Sequence, residues 1–348
     1  LPTPTIIDGS EYFVPYLYTA DNTSPRSFTG LGFEPDVLWF KTRSQSFSHR
    51  LFNSTVGVGS HQYTDRTDNA TWDSLVSFDA DGFTVEADGT AGNLLNYSTA
   101  TYVAWAWKTG TTVSGNTTGA GTAKAYTGSV NTDSGISVIS YKGNGTAGHT
   151  IPHHLGKAPS MVMTKKTTAT GSFGTYHSDL TSASYYILLN ASTGQASNNV
   201  YFNGTAPDAT VVTRGTGADG NANDVDYVQF SFAEIDGYSK IGKWVGNGSA
   251  DGPMVFTGFR PSFILTKRSD GTSWWGISDS KRSPFNEVAN TLAANENYSE
   301  SVLTSDMNVD FLSNGFKIRD TDGYYNASGG TYIFLAFAET PFKYANAR

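Results

Sequence analysis

Four histidines, His149, His153, His154 and His177, lie close together in the chain, and imidazole is the commonest side-chain ligand of transition metals. His153 and His154 are adjacent, however, and neighbouring residues of an extended chain point to opposite faces. The pattern therefore predicts turn or surface histidines and no metal site. Asp79 with Asp81, Asp320 with Asp322, and the run "DGNANDVD" from Asp219 look like pieces of calcium loops. Calcium takes about six to eight oxygens, and each piece supplies two or three, so Asx turns are expected instead. Ser54, Ser178 and Ser280 recur at one place in a repeated pattern, with no G-x-S-x-G elbow around them; a hydroxyl at a strand end or turn accounts for them. Glu34 and Asp36 flank Pro35 in one copy of that pattern, but the other copies carry Ala158 with Ser160 and Arg260 with Ser262. A glycosidase needs two carboxylates about 5–10 Å apart across a cleft, and no acidic pair recurs. The reading is that no residue is catalytic, none binds a metal and no cofactor is held. Trp274 and Trp275 are adjacent, so in a strand they face opposite ways; core packing of both is the favoured reading, and the alternative is one in the core with the other exposed to stack on a sugar or bury in a neighbouring subunit.

The elements that position these residues come in triplicate. "GFEPDVLWFK" at 32–41, "GKAPSMVMTK" at 156–165 and "GFRPSFILTK" at 258–267 share the form G-x-x-P-x-Φ-Φ-Φ-x-K, where Φ is apolar. Thirteen residues beyond each lysine stands a serine preceded by a polar residue: Asn53-Ser54, His177-Ser178 and Asp279-Ser280. An aromatic and a turn precede each copy, in "YTADNT", "YKGNGT" and "WVGNGS", and a Tyr-led strand follows, in "TYVAWAWK", "DYVQFSFAE" and "TYIFLAFAE". Self-similarity in fixed order over about a hundred residues means tandem domains of one type. Residues 1–10 read as an extended arm, 11–110, 134–236 and 237–348 as three repeats, and 111–133 as a Gly/Thr-rich linker or loop. The short connection between the second and third repeats predicts that they pack together, with the first more loosely hinged.

Within a repeat the period is two. Val103, Trp105 and Trp107 share a face, as do Val228, Phe230 and Phe232, and Ile333, Leu335 and Phe337; small or polar residues occupy the other parity. That alternation predicts a strand with one buried face. The Pro-led strand is apolar on both parities and is expected mid-sheet, its terminal lysine laying its stem on the core and keeping its ammonium wet. Asn-Gly and Asp-Gly pairs mark tight hairpins, and "FNEVANTLAANEN" from Phe285 is expected to hold a short helix. The fold class is all-β: three tandem antiparallel β-sandwich domains of jelly-roll or lectin-like type.

Composition narrows the function classes. The net charge is −8, which gives no footprint for nucleic acid. The longest apolar run, "IFLAFA", is far too short to cross a membrane as a helix. With no cysteine in the chain, disulfides and thiolate chemistry are excluded. The chain opens on Leu1 rather than Met, an expectation that something upstream was removed or is missing.

The segments "GYSKIGKWVGNGSADGPMVFTGFRPSFILTKR" and "FLSNGFKIRDTDGYYNASGGTYIFLAFAETPFKYANAR", with "GFEPDVLWFKTRSQSFSHRLFNS" and "SFDADGFTV", resemble a family of uncharacterised tailed-phage and aquatic-metagenome proteins placed among virion or fibre genes. The resemblance implies a structural or fibre component, outside the cell or on a virion surface. The expected partners are copies of itself, in a homo-oligomer or helical filament, and surface glycans, with no nucleic acid and no membrane insertion. The candidate assembly arm is Leu1, Pro2, Thr3, Pro4, Thr5, Ile6 and Ile7, adding as a strand to a neighbour's sheet edge. Trp274 and Trp275 are the candidate glycan or interface aromatics, for the alternative of a receptor-binding module.

Overall fold

The computed structural model describes residues 6–70, 74–87, 95–97, 99–300 and 307–338. It is nearly all β, and among the described residues no sheet closes into a barrel. Each repeat builds one large antiparallel sheet faced by one small three-stranded sheet. In the first repeat the large sheet runs Phe13–Thr19, Thr101–Trp107, Val37–Thr42, Arg50–Asn53, Gly57–Gln62 and Asn69–Ala70 in spatial order. The Tyr-led strand lies between the strand that opens the repeat and the Pro-led strand. The same three neighbours recur as Ile136–Lys142, Asp226–Phe232 and Met161–Lys166 in the second repeat, and as Ser239–Val245, Thr331–Ala338 and Pro261–Arg268 in the third.

The register repeats with the strands. Trp39 pairs with Trp105, Met163 with Phe230, and Leu265 with Leu335. The motif lysines Lys41, Lys165 and Lys267 lie opposite Val103, Val228 and Ile333. Because side chains alternate, Val37, Trp39 and Lys41 leave one face of the sheet while Leu38 and Phe40 leave the other.

Both faces are buried, which departs from the one-sided strand expected from the alternation. Leu38, Phe40, Phe52, Phe83, Ala104 and Ala106 pack inside the first sandwich, beneath its small sheet. The other face, carrying Val103, Trp105 and Trp107, joins Val228, Phe230, Phe232, Ile333, Leu335 and Phe337 in a single core shared by all three repeats. Phe337 meets Trp107 at 6.0 Å and Phe232 at 6.3 Å between ring centroids, so the equivalent last rib of each repeat converges on one point. Trp105 and Trp107 each meet Phe263 edge-on at 5.8 Å, the geometry that ring quadrupoles favour. A void of about 20 Å³ remains at the centre, lined only by apolar side chains from the three repeats. A space of that size without polar partners stays dry. The first repeat is therefore packed as deeply as the others and is not hinged. The apolar faces that would have hinged apart are each other's cover.

Two more local expectations are corrected. The segment read as a linker is mostly strand: Thr111–Asn116 and Ala125–Asn131 form a hairpin that extends the second large sheet, and Thr118–Gly119 joins its small sheet. Thr, Val and Tyr at alternating positions suffice for pairing despite the glycines. The segment from Phe285 holds no helix. Leu292–Ala293 pairs with the strand Trp275–Asp279, and Ala293 and Ala294 are buried, so tertiary burial overrides helix propensity. The hairpin signals do hold: Asp79 faces Gly82, and Leu312 faces Gly315, across two-residue turns.

Since the ribs form one core, the three repeats should melt together. Calorimetry is expected to give one cooperative transition for the chain, and Phe337→Ala to lower the stability of all three repeats at once by about 3–5 kcal/mol. Separate transitions, or loss confined to the third repeat, would contradict the shared core.

Candidate functional site

The polar residues at stereotyped positions act first within each repeat. Tyr18, Tyr141 and Trp244 stack on the leading Tyr102, Tyr227 and Tyr332, with centroids 4.9, 5.3 and 4.9 Å apart. Six residues before each leading tyrosine stands a fully buried asparagine: Asn96, Asn221 and Asn326. Each carboxamide oxygen accepts the backbone N–H of Asp21, Asn144 or Asn247, at 3.1, 3.0 and 2.8 Å. Each carboxamide nitrogen donates to the carbonyl of Thr23, Thr146 or Ser249, at 2.6, 2.9 and 2.7 Å. The enclosed turn needs positive φ at its fourth residue after the aromatic, met by Asn22 at 62°, Gly145 at 72° and Gly248 at 70°; Gly and Asn tolerate that conformation best. Two N-x-S/T sequons, at Asn96 and Asn326, thus centre on side chains that hold the fold.

Between repeats, the motif lysines form a closed ring. Lys41 of the first repeat donates to the Asn297 carbonyl of the third at 3.2 Å. Lys165 of the second donates to the Arg66 carbonyl of the first at 2.7 Å, and Lys267 of the third to the Ser192 carbonyl of the second at 2.9 Å. The expectation of a wet ammonium is wrong here: the three residues are 1%, 0% and 1% exposed. They sit on the rib face, and the neighbouring repeat closes over them. Burial pulls Lys41 and Lys267 down to about 7 and Lys165 to about 8.

The surrounding seam repeats the same direction. Eight residues beyond each lysine, His49 hydrogen-bonds the Ala293 carbonyl at 2.9 Å and Trp275 donates to the Leu188 carbonyl at 2.8 Å; the second repeat has Phe173 there. Two residues beyond each lysine, a carbonyl accepts from the neighbour: Arg43 from the Glu300 amide, Thr167 from the Ser60 hydroxyl, and Ser269 from the Gln195 amide. The seam between the third and first repeats adds an ionic chain. Asp279, fully buried, accepts from the Trp105 indole at 2.9 Å and from Arg282. Arg282 reaches Glu300 at 3.1 Å, and Glu300 takes Arg43 at 2.9 Å.

The sequence-chosen candidates are dispersed. His149 bonds Asn221 and Thr117, His153 the Asp208 carbonyl, His154 the Tyr126 hydroxyl, and His177 the Phe334 carbonyl. Asp79 accepts from Ser77 and Thr84, Asp81 from the amides of Gly30 and Gly32, and Asp322 from the Tyr324 amide. Asp219, Asp224 and Asp226 pair with Lys166, Lys124 and Lys142. Among the described residues no cluster of three or more His, Asp or Glu could hold a metal ion. Trp275 is buried in the shared core, so its ring cannot meet a sugar. Trp274 is half-buried and stacks on Tyr324 at 4.2 Å. Of the proposed arm, Leu1 to Thr5 lie outside the described residues. Ile6 is 2% exposed in the shared core, and Ile7 is 62% exposed.

One sizeable cleft, about 750 Å³, opens between the first repeat and the added hairpin. Gly32, Glu34 and Asp36 line one side, and Thr112, Thr127 and Ser129 the other. Asp36 is fully engaged, accepting from the Ser54 hydroxyl at 2.7 Å and from the amides of Thr109 and Gly110 at 2.7 and 2.8 Å. Its carboxylate pins the hairpin's entry. Glu34 stands exposed on the rim.

Two pH responses follow. A lysine held below its usual range refuses a proton that the unfolded chain binds up to about pH 10.4, so stability should rise from about pH 7 toward 10. Lys165→Met is expected to flatten that rise in urea titrations and, by leaving the Arg66 carbonyl without its donor, to cost about 1–3 kcal/mol. Burial also holds His177 down at about 4. Below pH 6.5 the unfolded chain takes up a proton that the folded chain refuses, so stability should fall by about 2 kcal/mol between pH 7.5 and 5. His177→Asn, which copies Asn53 of the first repeat, should remove that part of the acid slope.

Neither the curated proteins nor the solved structures yield a match to this chain. One family model, described as a domain of unknown function, matches residues 8–341. That span takes in all three repeats and the seams between them, and the chain belongs to the DUF7483 family.

Proposed function

We propose that the chain is a non-enzymatic structural subunit of a phage fibre or extracellular filament, joined to copies of itself through its surface. The observation that carries this reading is the use made of the buried ionisable groups. Lys41, Lys165, Lys267, His49 and Asp279 bond from one repeat to another, and Arg282 of the third repeat lies over the Trp105 ring of the first. Of the two acids lining the large cleft, Asp36 is likewise occupied by donors of its own chain, and Glu34 stands exposed on the rim. A general base or nucleophile needs a free, substrate-facing position, whereas a rigid spacer needs its polar groups saturated internally. Mass photometry of the purified chain, followed by electron microscopy, tests the proposal. Particles growing with concentration beyond the 37.3 kDa chain are expected, and a monomer at every concentration would reject it.

A second reading, a glycan-binding module of a tail fibre, is favoured by the half-exposed stack of Trp274 on Tyr324, edged by Tyr298 at 6.0 Å. Aromatic faces suit sugar rings. A glycan array in which Trp274→Ala loses the signal would support it, and an array without any binder would remove it.

A further inference from the structure

An open sheet edge invites pairing unless something blocks it, and the three large sheets treat their edges differently. The edge strand Phe13–Thr19 contains Pro15, which lacks an N–H. The edge strand Ser239–Val245 carries Lys240 and Lys243 in ion pairs with Glu234 and Asp179, and Glu234 also accepts the Ile241 amide at 3.2 Å. The far edges, Asn69–Ala70, Ala196–Ser197 and Leu292–Ala293, are two residues each, too short to template a partner. Thr111–Asn116 has none of these guards. It is six residues long, contains no proline and no charge, and has all but Val113 exposed. It pairs through its full length with Ala125–Asn131 and, among the described residues, with no other strand. It belongs to the hairpin that the other two repeats lack. The 750 Å³ cleft lies beside it, lined by Gly110 and Thr112.

The same chain carries a matching segment. In "LPTPT" the prolines stand at positions 2 and 4. Backbone groups of an extended chain alternate sides with period two, so both missing N–H groups fall on one edge. Paired as a strand, the segment would offer the intact N–H and C=O groups of Leu1, Thr3 and Thr5 on the other. Such a strand can pair once and cannot be extended further. At the usual rise per residue, residues 1–5 cover about 17 Å and the six-residue edge about 20 Å, so the edge is long enough to take all five. Ile6, buried in its own chain's core, fixes where the arm departs.

We propose that Thr111–Asn116 is the acceptor edge for residues Leu1 to Thr5 of a second copy of this chain. The proposal rests on the self-assembly reading above and names its contact. Donor and acceptor are different surfaces, so the contact is heterologous, and repeated head to tail it generates an open filament unless the rotation closes a ring.

The chain has no cysteine, so introduced thiols report one contact each. A Thr3→Cys chain and a Ser114→Cys chain, both full length, are mixed and oxidised mildly. The expected product is a mixed disulfide dimer, absent from either chain alone and suppressed by an excess of a synthetic peptide of residues 1–7. Deletion of residues 1–5 should abolish assemblies while leaving the melting temperature unchanged. Disulfide dimers of the Ser114→Cys chain alone would show that the edge pairs with itself and would overturn the arm as occupant. A Thr3→Cys/Ser114→Cys chain that closes only within itself would overturn the intermolecular contact. Assemblies that persist in the deleted chain would overturn this edge while sparing self-assembly. A wild-type chain that never exceeds the monomer would overturn both.

Discussion

The aromatic and aliphatic ribs of the three Tyr-led strands leave their own sandwiches on the wrong side for self-sufficiency. Val103, Trp105 and Trp107, with their counterparts in the other repeats, point away from the small sheet that covers each domain. Burying such side chains contributes about 1.5–3 kcal/mol apiece, and exposing a contiguous set of them would make a repeat sticky and unstable. Among the described residues their cover comes from the rib faces of the other repeats, joined by side chains such as Ile6 and Phe173. From that constraint follow the common core, the convergence of Trp107, Phe232 and Phe337, and the close approach that shuts water away from the three lysines.

Apolar contact alone would not fix how the three sheets are set against one another, because it is non-directional. The polar seam supplies the direction. Each motif lysine reaches a carbonyl of one particular neighbour, and the carbonyl two residues further on receives a donor from that same neighbour. A desolvated ammonium is a costly way to do this. The cost is tempered because burial lets the amine give up its proton near neutrality while a neutral amine can still donate. The two N–H groups of a neutral amine match the two carbonyls that Lys165 and Lys267 each reach, whereas Lys41, with three, uses all three only when charged.

Much of this was legible in the sequence, and the rest was hidden for identifiable reasons. The period-two ribs, the Pro-led strand apolar on both parities and the thirteen-residue interval to Ser54, Ser178 and Ser280 all marked the strands correctly. What recurs at the serines is the backbone amide and not the expected hydroxyl: the amides close the Pro-led hairpin onto the carbonyls of Asp36, Ser160 and Ser262, and the Ser54 hydroxyl adds a bond to Asp36. What the alternation could not reveal was which cover each face had. Ala104 and Gln229 look like a solvent face until a second sheet is laid over them. The lysines were misplaced for the same reason, since nothing local distinguishes a snorkelling lysine from one roofed by a distant loop. Asn96, Asn221 and Asn326 could have been found by counting back six residues from each leading tyrosine; the abundance of asparagine masked them. The Thr111–Asn116 hairpin was obscured by its glycines.

Of the three seams, two join repeats that follow each other along the backbone. The third, between the last repeat and the first, has no covalent backing. It is also where Trp105, Asp279, Arg282, Glu300 and Arg43 form their continuous chain of charge-assisted bonds. The molecule is a bracelet whose clasp is its most heavily reinforced link. Chain order is then a matter of where the bracelet was cut: a permuted polypeptide beginning with the second repeat would carry the clasp inside a connected pair and leave a lightly fastened seam as the closure.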